Sequence, residues 1–368
     1  MLSFYLIWSI SYFLLLLTIS KSWSNQRLDF KNSQKKSFFK VSILVACRNE
    51  ALNISRVLEE LDRQQYPDLE IVIIDDHSED KTLELARKFK SIGSRVLILK
   101  SPFVGKKHAI SWGIDQCSGD IILCTDADCT WPKNWVSGMV EKFSNPTIQF
   151  VAGPVLPGSG HGFFQDFQLI EWASILALTQ FSFARNNALM CSAANLAYRK
   201  SAFQEVKGFE GNYEYASGDD EFLLKKFKNH FGSDSLRYLS IQDVLVVTAA
   251  QESLKKLLNQ RIRWAGKWRV HSSISHALYS IGAFFVQILW IGSFLLLFAG
   301  AKGILGFALV WIIKVVAEQY TLGKVLTSLG KRRPLNRYVW TSFFHPFFVL
   351  MTVAGVLRGK FTWKGRTG

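Results

Sequence analysis

Two aspartates follow an apolar run near the middle of the chain. In the segment IILCTDADCTW, residues 121–131, Asp126 and Asp128 are separated by a single alanine. Because an unpaired buried charge is costly, we expect two carboxylates at the end of a core strand to hold a cation or to be hydrated. Mg²⁺ or Mn²⁺ bound by one or two carboxylates keeps coordination positions that a substrate diphosphate can fill. An exposed loop with two hydrated aspartates is the alternative.

Another acidic pair, Asp75 and Asp76, closes the run IVIIDD. These carboxylates can accept hydrogen bonds from a nucleobase and from ribose hydroxyls at the edge of a sheet. Ser78 and Asp80, which follow in the same loop, are equally consistent with capping the next helix.

Asp219 and Asp220 begin a predicted helix whose apolar face is Phe222, Leu223 and Phe227. Acidic residues in the first turn of a helix ordinarily complement the helix dipole or cap its amide groups. The same dipole favours the ionised carboxylate that a general base requires. The pair is therefore either a helix start or a catalytic base.

Two basic segments could face these acids. VGKKHAISWG places Lys106 and Lys107 at the start of a helix, where a lysine directed at the carboxyl edge of a sheet would neutralise a diphosphate. In QRIRWAGKW, Gln260, Arg263 and Trp264 share one side of a basic helix. The alternatives are ordinary surface lysines for the first segment and a helix on the membrane surface for the second.

Alternating strands and helices must position these residues. From residue 41 onward the apolar runs VSILVAC, IVIIDD, RVLILK and IILCTDAD alternate with amphipathic segments that predict helices. This alternation is typical of an α/β fold with a parallel sheet covered by helices on both faces. Such folds bind ligands at the carboxyl ends of the strands, where a nucleotide pocket is the natural expectation.

The chain begins with an uncharged apolar segment. Residues 1–20 are about as long as a bilayer crossing requires, and we predict an N-terminal transmembrane anchor over 1–21. A signal peptide is the alternative, but the segment has neither a basic start nor a small-x-small cleavage pattern. Six basic residues follow this segment, the first being Lys21 and the last Lys40. The positive-inside rule places that side in the cytoplasm.

Apolar segments return near the C-terminus and predict a transmembrane region over 271–357 with two or three helices. Residues 274–300 and 304–320 have the pattern of a helical hairpin. Within it, Lys314 and Glu318 need a protein partner or an interfacial position, because isolated charges are costly in a bilayer.

A third apolar segment, 338–357, is interrupted by His345 and Pro346. Both of its flanks are basic, so charge alone does not decide between a span and an interfacial segment. Residues 358–368 form a basic tail. The remaining 38–270 are predicted to be one cytosolic domain that includes interfacial helices.

The composition agrees with a membrane protein. Hydrophobic residues make up 49% of the chain, and 44 Lys and Arg against 29 Asp and Glu give a formal net charge of +15. On so apolar a chain this charge indicates basic flanks beside membrane spans, and no nucleic-acid partner is predicted. The five cysteines include no CxxC pair and are interpreted as reduced buried thiols. A zinc site on Cys124 and Cys129 is the alternative, although the other ligands are missing.

Seven segments resemble, in order and spacing, the motifs of membrane-bound family-two glycosyltransferases. They are VSILVACRNE, IVIIDDHSED, VGKKHAISWG, TDAD, SAANLAYRKSAF, SGDDEFLL and QRIRW. The resemblance covers residues 40–268 and implies a GT-A fold, Rossmann-like and nucleotide-binding, with flanking transmembrane helices. It also implies a nucleotide-diphosphate sugar as donor and Mg²⁺ or Mn²⁺ as cofactor.

The resemblance further implies a role for each candidate residue. Asp126 and Asp128 match the metal-binding DxD, and Asp220 matches the catalytic base, with Asp219 as its neighbour. The remaining matches are to the donor nucleotide and diphosphate (Asp75, Asp76, Lys106, Arg263) and to the QxxRW motif near the acceptor (Gln260, Arg263, Trp264). The implied enzyme is an inverting hexosyl- or N-acetylhexosaminyl-transferase of the bacterial inner membrane, with its catalytic domain in the cytoplasm.

The acceptor and the reaction class have alternatives. We predict a lipid or lipid-linked acceptor, because three or four spans are few for a polymer-conducting pore and the apolar segment 161–185 has the character of an interfacial helix. A core helix is the alternative for that segment. The alternative is a processive polysaccharide synthase with a glycan acceptor, of the cellulose, hyaluronan or poly-N-acetylglucosamine kind. A nucleotidyltransferase would require a glycine-rich phosphate loop that VACRNEALN lacks, and an inactive scaffold would be expected to have lost its acids.

Overall fold

A computed structural model describes residues 1–23, 39–158, 160–215, 218–266, 274–359, 362–363 and 366–367. For residues 274–280 and beyond 359 the description is of the backbone alone. Most of the predicted basic flank, residues 24–38, therefore lies outside the described residues, as do the predicted domain boundaries at 38 and 270–271. The chain divides into two compact units, one of Met1–Ser24, Ser159–Phe181 and Ala250–Gly368 and one of Asn25–Gly158 and Ser182–Ala249.

The second unit begins with the predicted alternation of strands and helices. The elements in chain order are β1 (Val41–Cys47), α2 (Ile54–Asp62), β2 (Leu69–Asp75), α3 (Thr82–Lys88), β3 (Arg95–Lys100), α4 (Lys106–Gln116) and β4 (Ile121–Thr125); α1 belongs to the other unit. The side chains of β2 and β4 are buried throughout, which is expected of strands covered on both faces.

Shorter elements complete this unit. They are β5 (Cys129–Thr130), α5 (Trp135–Val140), β6 (Phe150–Ala152), β7 (Val155–Pro157), β8 (Leu196–Arg199), α7 (Lys200–Glu205), α8 (Asp219–Phe231), β9 (Leu236–Tyr238) and β10 (Val246–Thr248). Strands β5, β10 and β7 form a small sheet of their own, in which Cys129 pairs with Thr248. This pairing anchors the chain directly after the DxD segment.

The main sheet has seven strands in the order β3-β2-β1-β4-β8-β6-β9. Strands β1 to β4 are parallel, as predicted, but β8 runs antiparallel to both β4 and β6, so the sheet is mixed rather than wholly parallel. The reason is the point of entry: Leu196, the first residue of β8, pairs with Cys124 near the carboxyl end of β4. The segment preceding β8 therefore lies at the carboxyl edge, beside the candidate acids.

The first unit is helical. Its elements are α1 (Leu2–Ser22), the part of α6 (Phe163–Ala184) up to Phe181, α9 (Leu254–Ala265), α10 (Ile274–Gly292), α11 (Gly300–Ser328) and α12 (Leu335–Arg358), followed by the short pair β11 (Thr362–Trp363) and β12 (Arg366–Thr367). Among the described residues, four helical segments are long and apolar enough to cross a membrane, namely Leu2–Ser22, Ile281–Phe298, Gly300–Ser328 and Leu335–Arg358.

Helix α12 corrects one expectation from the sequence. It continues through His345 and Pro346, where an interruption was predicted. Proline has no N–H and so leaves the carbonyl of residue 342, four positions earlier, without its helical donor. Lys314 Nζ on α11 donates to that Ser342 carbonyl at 3.1 Å. A neighbouring helix thus satisfies the group that the proline frees, and the helix does not break.

Lys314 and Glu318 have the protein partners that their position requires. Lys314 Nζ forms an ion pair with Glu318, and the Tyr12 hydroxyl of α1 donates to Glu318 Oε1 at 2.8 Å. The Ser342 hydroxyl of α12 also donates to Glu318. The pair therefore links α1, α11 and α12.

Candidate active site

An acidic cluster gathers around Lys106 at the carboxyl edge of the main sheet. Lys106 Nζ lies 2.7 Å from Asp126 Oδ1 and 3.5 Å from Asp219 Oδ2. Burial lowers the pKa of Lys106, but the nearby charges of Asp126 and Asp219 outweigh it, so the pKa is raised overall. The ammonium group therefore stays protonated between two acidic segments that are 93 residues apart in sequence.

Asp128, the second acid of the DxD segment, is partly buried. Burial, the charge of Asp126 and the charge of Glu50 all raise the pKa of Asp128. The hydroxyl of Thr248 on β10 donates to Asp128 Oδ2 at 3.4 Å. Negative charge is therefore concentrated at this end of β4 beyond what the nearby donors neutralise, which is the situation expected of a cation-binding position.

Asp75 and Asp76 are buried at the end of β2, with 2% and 6% of their surface exposed. Asp75 Oδ2 accepts a hydrogen bond from Ser78 N at 3.3 Å, while its buried Oδ1 has no partner among the described residues. Asp76 Oδ1 accepts from Gly105 N at 2.7 Å. An orphaned carboxylate oxygen in a buried position is unusual and points to a ligand donor, such as a nucleobase N–H or a ribose hydroxyl.

Gly105 connects this pair to the lysine segment. It adopts a φ of 110°, a conformation that favours glycine, and directly precedes the first residue of α4. Its amide bonds Asp76 while the next residue, Lys106, contacts Asp126. Through Gly105 and Lys106, this turn thus contacts both the candidate nucleotide-binding pair, Asp75 and Asp76, and the candidate metal-binding pair, Asp126 and Asp128.

Asp220 is held in the first turn of α8. Its Oδ1 accepts from Glu221 N at 2.9 Å, and its Oδ2 accepts from Ala193 N at 3.3 Å. Ala193 belongs to the SAAN segment that precedes β8. The antiparallel entry of β8 therefore brings one of the recognised motifs against the candidate base.

The loops after β1 and β2 are linked by hydrogen bonds that sequence reasoning did not anticipate. Asn49 N donates to Ser78 Oγ at 3.0 Å, and Ala51 N donates to Asp80 Oδ2 at 3.1 Å. Asp80 Oδ1 also accepts from Thr82 N at 2.9 Å at the start of α3. Glu50 of the same loop acts on Asp128 and was missed, although it lies within the motif VACRNE.

The QxxRW residues Gln260, Arg263 and Trp264 lie on α9, in the helical unit, and two of them, Gln260 and Trp264, contact Arg261. The Arg261 guanidinium donates to Gln260 Oε1 at 2.6 Å and lies over the Trp264 ring at 4.4 Å. It is also paired with Glu171 of α6, with Nε to Oε1 at 2.9 Å, and both side chains are more than nine-tenths buried. The sequence analysis did not predict a role for Arg261, because it stands at a variable position (x) of the QxxRW motif.

The helix α9 is fixed at two further points in its unit. Trp264 packs edge-on against Trp172 of α6, with ring centroids 5.1 Å apart. Gly355 of α12 lies so close to Ile262 that an added Cβ would come within 2.2 Å of its Cδ1. At this close approach of α9 to α12, a side chain at position 355 would force the Ile262 side chain to move.

Part of the chain matches a known protein family. Residues 42–207 match the family model described as Glycosyl transferase family 2. This part of the chain is therefore similar to family-two glycosyltransferase domains. The matched residues extend from β1 to α7 and include Asp75, Asp76, Lys106, Asp126 and Asp128. The acids of α8 and the QxxRW residues follow the matched region.

Two curated proteins to which this chain is similar are bacterial synthases. Poly-beta-1,6-N-acetyl-D-glucosamine synthase of Staphylococcus epidermidis is 27% identical over 264 residues, which are 71% of this chain and 61% of the relative. The enzyme of the same name from Staphylococcus aureus (strain COL) is 28% identical over 227 residues, 61% of this chain and 53% of the relative. The chain thus spans between half and two thirds of the length of these relatives.

A solved structure shares the fold over nearly the whole chain. It is the mannosyltransferase PcManGT from Pyrobaculum calidifontis, in complex with GDP-Man and Mn²⁺, with a TM-score of 0.56, 19% sequence identity and coverage of 95% of both chains. The predicted α/β fold of the GT-A type is confirmed by the sheet and by this likeness.

The donor atoms beyond the end of β4 suit a divalent ion. Asp126 and Asp128 supply carboxylate oxygens, the ligands that Mg²⁺ and Mn²⁺ prefer. Within the described residues no group of three or more His, Cys, Asp and Glu side chains is placed to hold a metal. A two-carboxylate site of this kind leaves coordination positions for substrate oxygens. The alternative zinc site on Cys124 and Cys129 has no support in this part of the chain, since both thiols are buried and the Cys124 thiol contacts the Tyr198 hydroxyl.

Proposed function

We propose that the protein is an inverting, metal-dependent glycosyltransferase that uses a nucleotide-diphosphate sugar. The observation that carries this proposal is the convergence of Lys106, Asp126 and Asp219 from separate segments on one edge of the sheet. A nucleotide-diphosphate sugar has the parts that such an edge can bind: a nucleoside, a charged diphosphate and a sugar at its end.

On the donor side, the nucleoside is assigned to Asp75 and Asp76. The unpartnered Asp75 oxygen is available to a base N–H or a ribose hydroxyl. Lys106, kept protonated by its acidic neighbours, places positive charge where the leaving diphosphate gains negative charge. Arg263 is assigned to the same diphosphate by its place in the QxxRW motif.

A divalent ion is assigned to Asp126 and Asp128, and when bound it would act as a Lewis acid toward the departing diphosphate. The raised pKa of Asp128 supports this assignment, because a carboxylate destabilised by burial and by Asp126 gains most from a cation. The domain family and the carboxylate donors support a metal of the Mg²⁺ or Mn²⁺ type.

On the acceptor side, Asp220 is assigned as the general base. Backbone amides of Glu221 and Ala193 hold its carboxylate in place, and the start of α8 favours its charge. It would take the proton of the acceptor hydroxyl as the oxygen attacks the anomeric carbon. Attack on the face opposite the leaving group inverts the configuration at that carbon.

Two acceptors remain as candidates. The predicted lipid or lipid-linked acceptor rests on the apolar character of the chain. The named relatives favour the alternative, a growing polysaccharide built from N-acetylhexosamine units, because they are poly-N-acetylglucosamine synthases. We therefore propose polymer synthesis at the cytoplasmic face of a bacterial membrane, with a lipid acceptor as the second candidate.

One assay tests both parts of this proposal. Purified protein in detergent is incubated with Mn²⁺ and a panel of UDP- and GDP-linked sugars, and the released nucleoside diphosphate is measured. Release from one donor, with an inverted anomeric configuration by NMR, is expected. A ladder of oligomers by mass spectrometry supports a polymer, and a single glycolipid supports the second candidate. No release from any donor would reject the enzyme assignment.

A further inference from the structure

Lys107, next to the candidate diphosphate lysine, points away from the acidic cluster and is buried. Its ammonium group donates to the carbonyl oxygens of Asn212 and Tyr215, each at 2.7 Å. The residue is 6% exposed. A lysine loses considerable side-chain entropy and hydration when it is buried, so it persists in such a position only with good hydrogen bonds. These bonds reach a segment more than a hundred residues away in sequence.

The same helix, α4, contacts this segment at two other positions. The His108 imidazole stacks on the Tyr213 ring, with centroids 4.3 Å apart and an interplanar angle of 22°. One turn further along α4, Ser111 Oγ and the Tyr213 hydroxyl are 3.0 Å apart. Residues from the first two turns of α4 thus hold the backbone and an aromatic side chain of the segment that precedes α8.

The segment leads directly to the candidate base. The Asn212 side chain is 1% exposed, and its Nδ2 donates to the carbonyl of Gly218 at 3.4 Å. Gly218 adopts a φ of 86° and immediately precedes Asp219 and Asp220. The path from Lys107 to the first turn of α8 therefore passes through one buried asparagine.

We propose that Lys107 is a positioning residue that fixes the start of α8, and with it Asp220, relative to the diphosphate end of the donor site. Two adjacent lysines would then have separate roles: Lys106 contacts Asp126 and Asp219 through their side chains, and Lys107 holds the main chain that leads to Asp219 and Asp220. This role rests on the proposed function, because it concerns the geometry between donor and base.

The expected effect is a loss of turnover rather than of donor binding. Without the Lys107 amine, Asn212 and Tyr215 lose a common donor and the start of α8 can shift. A misplacement of about 1 Å at a reacting group costs on the order of 10²-fold in rate. Lys106, Asp126 and the Asp75–Asp76 pair are unchanged, so the affinity for donor should be retained.

The test compares Lys107→Met with Lys200→Met. Lys200 is a matched control, because its ammonium group also donates to a main-chain carbonyl, that of Cys117, but at the opposite edge of the sheet. For Lys107→Met we expect kcat to fall roughly 100-fold with the donor KM within about twofold of wild type. The control should keep wild-type kcat. Equal kcat values for the two variants would overturn the proposal.

Two additional measurements keep the proposal testable if activity or folding fails. Hydrogen–deuterium exchange of Lys107→Met should be faster in 209–215 and 219–224 than in wild type, and unchanged exchange there would overturn the proposal whatever the enzyme transfers. If Lys107→Met does not fold, Tyr213→Ala removes the half-exposed stacking partner of His108 and should lower kcat in the same selective way. Absence of transfer by the wild type would reject the proposed function alone, since the exchange experiment judges Lys107 separately.

Discussion

Two lysine–carboxylate clusters in this protein have the same chemistry and opposite surroundings. Lys106 and Asp126 are 31% and 36% exposed in their side chains and lie at the edge of the sheet. Lys314 and Glu318 are 0% and 10% exposed and lie among apolar helices.

The partners of the two clusters differ accordingly. Around Lys106 the neighbours are further acids, whose charge raises the pKa of Lys106 and of Asp128. Around Lys314 and Glu318 the neighbours are hydroxyls and a carbonyl that complete the hydrogen bonding of the pair. The first cluster has excess negative charge and access for a charged ligand, whereas the second is closed and links three helices. The same residue types thus serve binding at one place and helix packing at the other.

The largest effect is expected from removing the candidate general base, Asp220, which follows Asp219 of the first cluster in sequence. Asp220→Asn should reduce sugar transfer by about 10³-fold, because it removes the proton acceptor while keeping the shape of the side chain. The donor affinity, measured by calorimetry with Mn²⁺, should stay within about twofold. Asp115→Asn, an exposed acid on α4, is the control and should transfer normally. Near-wild-type turnover of Asp220→Asn would remove Asp220 from the role of base.

The next effect concerns the Lys314–Glu318 cluster and should change the free energy of unfolding but not the rate of transfer. Lys314→Met leaves Glu318 buried without its cation, and removing one partner of a buried pair costs roughly 3 kcal/mol. The free energy of unfolding in mixed micelles is the measurement. The double variant Lys314→Met with Glu318→Met should recover part of the loss, since no charge then remains. If instead kcat of the folded single variant fell as strongly as for Asp220→Asn, the contrast between the clusters would be wrong.

A smaller effect separates binding from stability within the first cluster. Because the pKa of Asp128 is raised, its ionised form disfavours the folded state at neutral pH, and Asp128→Asn should raise the Tm of the metal-free protein by about 2 °C. The gain should vanish well below the unfolded pKa of about 3.9, where the carboxyl is protonated in both states. Mn²⁺ should raise the Tm of wild type and not that of the variant. A variant that is still stabilised by Mn²⁺ would contradict the assignment of Asp128.

The smallest effect is expected for an ion pair that is exposed on both sides. Glu252 and Lys256 pair at the start of α9, with side chains 79% and 58% exposed. Solvent screens such a pair, so Glu252→Gln should leave both Tm and kcat unchanged within error. A clear loss of Tm would show that proximity alone, rather than burial, governs the strength of these pairs.

Local patterns in the sequence were sufficient for the scaffold and for one half of the site. Strand periodicity placed Asp75 and Asp126 at strand ends, and both lie there, because the period of apolar residues reports where a buried strand stops. Four apolar segments were also recognised as possible spans, because their length and apolar composition can be read directly from the sequence.

Contacts between distant segments were not readable in this way. The antiparallel direction of β8 depends on where the chain re-enters the sheet, and this direction decides that Ala193 meets Asp220. Arg261 occupies a variable position of its motif and was not predicted to have a role, although it contacts both Glu171 and Gln260. Lys107 was considered only as a lysine that could face a diphosphate, whereas its ammonium group donates to the carbonyls of Asn212 and Tyr215.

Helix α12 illustrates the boundary between the two kinds of information. From the sequence alone, Pro346 predicts a break, since proline removes one helical hydrogen bond wherever it stands. Only the packed helices decide whether another donor reaches the freed carbonyl, and here Lys314 does. The sequence by itself determined the elements, their polarity and the types of chemical groups available. The tertiary structure decided which of those groups meet, because a contact between residues far apart depends on the position of the whole backbone between them.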